Sequence, residues 1–346
     1  MIKIIFPTSL DSNSIKAFET RDAIAARNSL KAFFYPRTIA VIGASRDRDS
    51  IGGRLLWNIL EGGYKGVVYP INKNAEFVQS IKAYKTILEV DDEIDLAIIA
   101  VPARSVLEVA KECAMKKVKG LIVISAGFAE IGGEGAKLQE ELLNICRNHG
   151  MRLIGPNCLG LINTDPKVNL NAQFSPFKAK EGKIGFFSQS GALGIDLLQY
   201  VSSVGLGLSS FVSAGNKADI SGNDLLNYWE EDERTKVIML YLESFGNPRK
   251  FVRIAKRVSK KKPIIVVKGG RTIAGLRAAR SHTGALVSTS NVTLDAMFKQ
   301  AGVIRVDTLG EMIDIAALLS SQPLPKGKKV GIITNAGGIG VLLSDY

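Results

Sequence analysis

From Phe33 onward, short apolar runs alternate with amphipathic stretches. Such alternation predicts strands joined by crossover helices, the mark of an α/β protein with parallel sheets. A first unit is expected to place strands over 38–42, 67–69, 96–101, 121–124 and 152–154, with helices near 53–61, 104–115 and 135–148. The run Leu-Ala-Ile-Ile-Ala-Val (96–101) is apolar throughout, so it reads as a strand buried on both faces. Residues 163–180 hold Pro166 and Pro176 and read as a connector. A second unit follows, with strands over 183–187, 208–212, 237–242 and 264–267. Its helices are expected near 192–204, 222–231, 248–258, 290–301 and 308–319. Residues 1–32 form an N-terminal extension in which 13–28 predict a surface helix. The domain boundaries implied are 1–32, 33–165, 178–322 and 328–346. The last is expected to be the truncated start of a third α/β domain, with a strand over 330–334, a glycine turn and a helix.

Composition narrows this picture. Of 346 residues, 46% are apolar and 23% charged, which excludes a disordered chain. Glycine is frequent, at 34 residues, and points to tight turns and close backbone approaches. The net charge of +12 favours anionic partners without choosing among them. Cys113, Cys146 and Cys158 have no paired spacing, so neither a disulfide scaffold nor a zinc site is expected, and no metal is assigned. The apolar run at the N-terminus breaks at Asp11, too soon for a secretory signal, and no stretch reaches the roughly 18 residues of a membrane span. A cytoplasmic location, with no membrane partner, is the default.

Candidate chemistry lies where the strands end. Ile39-Ala-Val-Ile-Gly-Ala-Ser45 is an apolar strand entering a small-residue turn, with a helix opening near Gly52. That geometry presents backbone N–H groups to an anion, or is simply a βα turn. NAD sites usually place a carboxylate after the second strand; here Tyr-Pro-Ile-Asn-Lys (69–73) ends on Lys73, which suits a phosphate. NADP or coenzyme A is therefore favoured over NAD, with a solvated surface lysine as the alternative. Val101 and Pro102, and the loop 125–130, follow the next two strands and should reach the same edge. Phe-Ser-Gln-Ser-Gly-Ala (187–192) makes a second such turn, where Ser190 either caps a helix or sits at a phosphate. No G-x-x-x-x-G-K-[ST] loop occurs, so a nucleoside triphosphate site would lie on another chain.

Two histidines are present. His149 precedes Gly150 at a predicted helix end, where the helix dipole accounts for it. His282 lies in a glycine-dotted segment with Lys268, Arg271, Arg277 and Arg280. A neutral imidazole is a nucleophile able to carry a phosphoryl group, and these cations would draw phosphate to it. A structural loop histidine stays open beside that reading. Glu243, following the strand 237–242, is the candidate carboxylate to orient the imidazole, or a helix-start acid before Pro248.

In order and spacing, several segments resemble the α-subunit of nucleoside-diphosphate-forming acyl-CoA synthetases, the acetate–CoA ligase (ADP-forming) type within the succinyl-CoA synthetase superfamily. They are Ile-Ala-Val-Ile-Gly-Ala-Ser (39–45), Tyr-Pro-Ile-Asn-Lys (69–73), Gly-Phe-Ala-Glu (127–130), Gly-Pro-Asn-Cys-Leu-Gly (155–160), Ser-Gln-Ser-Gly (188–191) and Ser-His-Thr-Gly-Ala (281–285). The resemblance implies an α/β chain in which a Rossmann-like CoA-binding domain precedes a flavodoxin-like succinyl-CoA-synthetase-type domain. It implies CoA binding by Gly43, Ser45 and Lys73, joined by Val101 and Pro102 at the same strand edge. It also implies a phosphorylated His282, a positioning Glu243, phosphate binding at Ser190 and Gly191, and a domain junction at Asn157 and Cys158. The family reaction it implies has three steps. Phosphate attacks an acyl-CoA, His282 takes the phosphoryl group from the acyl phosphate, and ADP receives it. ADP or ATP, with Mg, is expected on an ATP-grasp β-subunit, since this chain has no such domain. Rival readings are a non-catalytic CoA-binding regulator, an NADP-dependent oxidoreductase and, least in keeping with these motifs, a nucleic-acid binder.

Overall fold

The computed structural model describes residues 12–270 and 291–345. The chain opens with α1 (Ser12–Phe34), rich in alanine and long straight-chain residues and closed by Pro36, which disfavours helix at Tyr35. This helix runs further than the surface helix expected over 13–28. Its last turn is not surface: Leu30, Phe33 and Phe34 are fully buried, and Phe34 stacks on Tyr228 of the second unit at 4.1 Å between ring centroids. An apolar i, i+3, i+4 triplet at the helix end pulls that end into the core.

The first unit contains β1 (Thr38–Ile42), α2 (Ile51–Glu61), β2 (Val67–Ile71), the short pair β3 (Phe77–Val78) and β4 (Ile81–Lys82), β5 (Leu96–Ile99), α3 (Ala103–Met115), β6 (Gly120–Val123), α4 (Gly133–Asn148) and β7 (Arg152–Ile154). Five strands form a parallel sheet in the order β2-β1-β5-β6-β7. Every residue of β5 and β6 is buried, as their unbroken apolar sequences require for a sheet covered on both faces. Strand β5 stops at Ile99, two residues short of the expected end, because Pro102 caps α3.

The second unit contains β8 (Gly160–Asn163), β9 (Leu170–Gln173), β10 (Lys180–Ser188), α5 (Gly191–Ser203), β11 (Gly207–Ser213), α6 (Gly222–Glu231), β12 (Val237–Leu242), α7 (Pro248–Val258), β13 (Ile264–Lys268), α8 (Asn291–Gln300), β14 (Ile304–Val306), α9 (Leu309–Ser321) and α10 (Gly337–Asp345). Its seven-stranded sheet runs β14-β13-β12-β10-β11-β8-β9. The strands β10 to β14 are parallel, while β8 and β9 form an antiparallel edge. This corrects the connector expected over 163–180: β9 lies within it, and β8, counted with the first domain, pairs with β11. The hairpin is held by buried amides, with Asn163 donating to the Phe34 carbonyl and Asn58 of α2 donating to the Gln173 and Ser175 carbonyls. The strand expected over 330–334 is not formed; Val330 and Ile333 are exposed and pair with no sheet.

Among the parallel strands of each sheet the order of succession reverses once, between β1 and β5 in the first and between β10 and β12 in the second. Ligands in open α/β sheets bind beyond strand C-termini at such switch points. One hydrophobic cluster runs through both units, from Ile39 and Leu55 to Trp229 and Ile238. Arg152 crosses the boundary, bonding Asp219 at 2.7 Å, Asp224 at 3.3 Å and the Ser29 hydroxyl. The two sheets are therefore locked with their C-terminal edges facing one cleft.

Candidate functional site

At the first switch point the chain leaves β1 through Gly43. This residue has φ of +90°, and a Cβ here would lie 2.4 Å from the Ala100 carbonyl oxygen. Gly52, opening α2, approaches the Gly43 carbonyl closely enough that a Cβ would sit 1.8 Å from it. Only glycine fits either place, so the turn and the helix start are drawn into contact. Ser50 caps α2 by accepting from the Gly53 N–H, and the Ser45 hydroxyl accepts from the Asp47 N–H. Val101 lies beside this turn, and its carbonyl accepts from the Ser125 hydroxyl. Lys73 follows β2 next to this turn: Asn72 beside it donates to the Ala44 carbonyl at 2.7 Å, and Lys73 itself is exposed and lines a cleft with Lys82, Lys85 and Glu89.

At the second switch point β10 ends in Ser188-Gln189-Ser190. Ser190 is buried and caps α5, its hydroxyl accepting from the Leu193 N–H at 3.3 Å. The cap fixes the direction in which the first turn of α5, beginning at Gly191, presents its N–H groups. Gln189 braces the end of the neighbouring strand. Its side-chain oxygen accepts from the N–H groups of Glu243 and Ser244, and its amide donates to the Ser244 carbonyl.

Glu243 is itself buried, and its Oε2 has no hydrogen-bond partner among the described residues. Buried carboxylate oxygens are normally satisfied, so an unpaired one marks a position built to accept from something else. Burial, the adjacent Glu243 charge and a side-chain hydrogen bond with the Glu243 carboxylate push the Tyr241 phenol up to about 12. Two cations stand near the carboxylate. Lys268 donates to the Glu243 and Gly269 carbonyls, and burial lowers its pKa against the pull of Glu243. Lys217 donates to the carbonyl and hydroxyl of Ser244, and burial brings it down to about 8 despite Glu243, with Lys268 adding to the fall.

Between the two switch points lies a cleft of about 440 Å³. Ser125, Asn157 and Cys158 line it from the first unit's side, and Gln189, Ser190, Gly191, Gly215 and Asn216 from the second. Ile51, Phe174 and Ile195 add an apolar wall, and the lining has no charged side chain among the described residues. Asn157 has φ of +58° and donates to the Asn216 side chain across the boundary. Cys158 packs in the shared core, donates to the Val123 carbonyl, and burial pushes its thiol up to about 12. It is a packing residue, not a nucleophile.

The structure thus brings Ser190, Gly191, Asn157 and Cys158 to one cleft and sets Glu243 one strand away from Ser190. Gly43, Ser45, Val101 and Pro102 are grouped at the other switch point, with Lys73 one residue beyond the Asn72 side chain that bonds the Ala44 carbonyl. His282, Arg271, Arg277 and Arg280 lie outside the described residues. His149 ends α4, where its Nδ1 bonds the Ile145 carbonyl. Sequence reasoning passed over Gln189, Asn216 and Lys217 as site residues. The only signal for the last two was a polar pair directly after a glycine at a strand end.

Comparison with known proteins follows the same division. The family described as a CoA binding domain matches residues 37–164, and the succinyl-CoA ligase like flavodoxin domain matches residues 181–319. The chain is 47% identical over 321 residues to the α-subunit of acetate–CoA ligase [ADP-forming] I from Pyrococcus furiosus, covering 92% of this chain and 69% of that one. It is 44% identical to the acetate–CoA ligase [ADP-forming] of Methanocaldococcus jannaschii, but covers only 44% of that longer chain. Among solved structures it matches the dinucleotide-forming acetyl-coenzyme A synthetase 1 of Ca. Korarchaeum cryptofilum, determined with phosphate and ADP. The TM-score is 0.87 at 43% identity, over 91% of this chain and 68% of that one. With both domain families matched in order and near-half identity over nine-tenths of its length, the chain belongs to the α-subunit family of ADP-forming acetate–CoA ligases.

Proposed function

We propose that this chain is the α-subunit of an acid–CoA ligase (ADP-forming), interconverting acyl-CoA, ADP and phosphate with carboxylic acid, CoA and ATP through a phosphohistidine at His282. The observation that carries the reading is Glu243, whose buried Oε2 has no partner among the described residues and stands one strand from a capped helix start. An imidazole N–H satisfies such an acceptor. The bond would fix the ring's tautomer and stabilise the cation that forms as the opposite nitrogen is phosphorylated.

In this reading the glycine turn at Gly43 and Ser45, with Val101 and Pro102, takes the body of CoA, and Lys73 pairs with a phosphate at its nucleotide end. The first turn of α5, at Ser190 and Gly191, holds inorganic phosphate. A phosphate oxygen attacks the thioester carbon, the C–S bond breaks, and CoA leaves as the thiol. The His282 nitrogen then attacks phosphorus, the bond to the acyl oxygen breaks, and the carboxylate departs. ADP finally takes the phosphoryl group as the P–N bond breaks. Little covalent machinery is required, because positioning and charge stabilisation do most of the catalysis. Asn157 and Cys158 hold the junction over which the two halves meet. ADP or ATP, with Mg, belongs on an ATP-grasp β-subunit in a hetero-oligomer. The location is cytoplasmic; no helix among the described residues is long and apolar enough to cross a membrane.

The test is reconstitution with an ATP-grasp β-subunit, acetyl-CoA, phosphate and ADP. ATP and free CoA should appear in equal amounts and only when phosphate is present. CoA release that ignores phosphate, or no ATP from a panel of short-chain acyl-CoAs, would overturn the proposal.

A further inference from the structure

The turn after β11 has no role in the chemistry above, yet it bonds to the Pro156-Asn157 segment and Glu130 on one side and to Ser244 on the other. Gly215 lies so close to the Pro156-Asn157 backbone that a Cβ would sit 2.0 Å from the Asn157 carbonyl oxygen. Asn216 donates through its backbone N–H to the Pro156 carbonyl. Its side chain donates to Glu130 and Gln139 of the first unit and accepts from Asn157. Burial raises the Glu130 carboxyl, but the Asn216 amide and the N–H groups of Gly127 and Phe128 overcome it and hold the group below the usual range. One residue later, Lys217 turns the other way and bonds the Ser244 carbonyl at 2.9 Å and its hydroxyl at 2.8 Å.

Lys217 pays twice for that place. Its φ is +58°, a left-handed conformation that glycine adopts freely and lysine does not. Its ammonium is also largely withdrawn from water. A lysine held in a left-handed conformation, with its ammonium bonded inward to Ser244, points to a demand on the residue beyond that of the turn. Glycine would serve the turn better.

We propose that Lys217 is a positioning residue for phosphoryl transfer: its ammonium fixes the Glu243-Ser244 turn while Asn216 beside it clamps the 125–130 loop, so one turn sets the carboxylate and the CoA-side loop in register. The inference rests on the function proposed above. Lys217 does not itself line the cleft; its ammonium acts from behind, through Ser244, while its neighbours Gly215 and Asn216 do line it. The charged groups facing Lys217 are Glu243, which favours its protonation, and Lys268, which opposes it.

The experiment compares wild type, Lys217→Gly, Lys217→Met and Lys217→Arg in the complex with the β-subunit. It measures the single-turnover rate at which labelled phosphate reaches His282 from acetyl-CoA. Lys217→Gly keeps the turn unstrained, so its loss cannot be laid to misfolding. The rate should fall about 10- to 100-fold in Lys217→Gly and Lys217→Met, with KM for acetyl-CoA changed less than about threefold. Lys217→Arg should recover most of it. On the alkaline side the wild-type rate should decline through about pH 8 as Lys217 loses its proton, and that decline should move to higher pH in Lys217→Arg. A Lys217→Gly rate equal to wild type, or a loss wholly in KM, would overturn the positioning role. An unlabelled wild type would instead overturn the function on which the role rests.

Discussion

Gly43→Ala is the sharpest probe of the first switch point. The added Cβ would stand 2.4 Å from the Ala100 oxygen, 2.9 Å from its carbonyl carbon and 3.1 Å from Val101 Cγ1. Relief requires β1 and the end of β5 to part by about 1 Å, since unstrained contacts lie near 3.5 Å. The bond that holds them is short, 2.8 Å from Ala100 N to the Ile42 carbonyl, and Gly43 is held from its other side by β2, its N–H donating to the Ile71 carbonyl at 3.0 Å. Overpacking of this kind costs about 1–3 kcal/mol. Holding alanine at φ of +90° adds about 1 kcal/mol or more. The sum, about 2–4 kcal/mol, corresponds to a Tm lower by roughly 6–12 °C for a unit of this size. Because the same turn is assigned to CoA, its affinity should fall by about tenfold or more. Differential scanning fluorimetry and titration calorimetry with CoA read the two effects. Gly327→Ala, where a Cβ meets nothing within 4 Å, is the control. Unchanged Tm and unchanged CoA affinity in Gly43→Ala would refute the close-approach reasoning. A lowered Tm with unchanged affinity would move CoA away from this turn.

Three further outcomes follow from the geometry. Glu243→Gln should keep the fold but slow phosphorylation of His282 by about 10- to 100-fold in a single-turnover assay, since an amide cannot stabilise the imidazolium as a carboxylate does. A rate within twofold of wild type would remove Glu243 from the mechanism. Arg152→Met should lower stability by about 2–3 kcal/mol in urea unfolding, because it leaves Asp219 and Asp224 half-buried and short of their shared cation. No change in the urea midpoint would show the inter-unit bridge to be idle. Acid should unfold the chain through Asp95, Asp165 and Glu130. In each, burial raises the pKa, but hydrogen bonds prevail and set it below the ordinary value: those of Lys119 and the Arg37 N–H for Asp95, the Lys167 N–H and Tyr35 for Asp165, and Asn216 for Glu130. A folded-state pKa below the unfolded one gives stability that is full above about pH 5 and lost as pH falls through the folded values. Circular dichroism should therefore show a cooperative acid transition that is shallower in Asp95→Asn, and an identical transition there would contradict the assignment.

Most of the α/β framework was legible because parallel strands buried on both faces are written as unbroken apolar runs. The strands at 38–42, 152–154 and 237–242 begin and end where those runs do. The antiparallel edge was not legible. Asn163, Asn171 and Gln173 are polar, and only the folded chain supplies the backbone and amide partners that allow them to be buried. Val330 to Thr334 erred in the opposite sense: an apolar run makes a strand only beside another strand, and among the described residues this segment pairs with none. Glu243 was readable because a strand end fixes its edge. Lys217 was not, because its partner Ser244 lies on a different strand's loop and its positive φ leaves no trace in residue type.

The central claim is that His282 carries the phosphoryl group and Glu243 orients it. The most direct measurement incubates the chain and its β-subunit with acetyl-CoA and labelled phosphate, then locates acid-labile label by rapid quench and peptide mapping. The account predicts label on His282 alone, lost in His282→Ala and formed slowly in Glu243→Gln. Acid-labile label that persists in His282→Ala would contradict it.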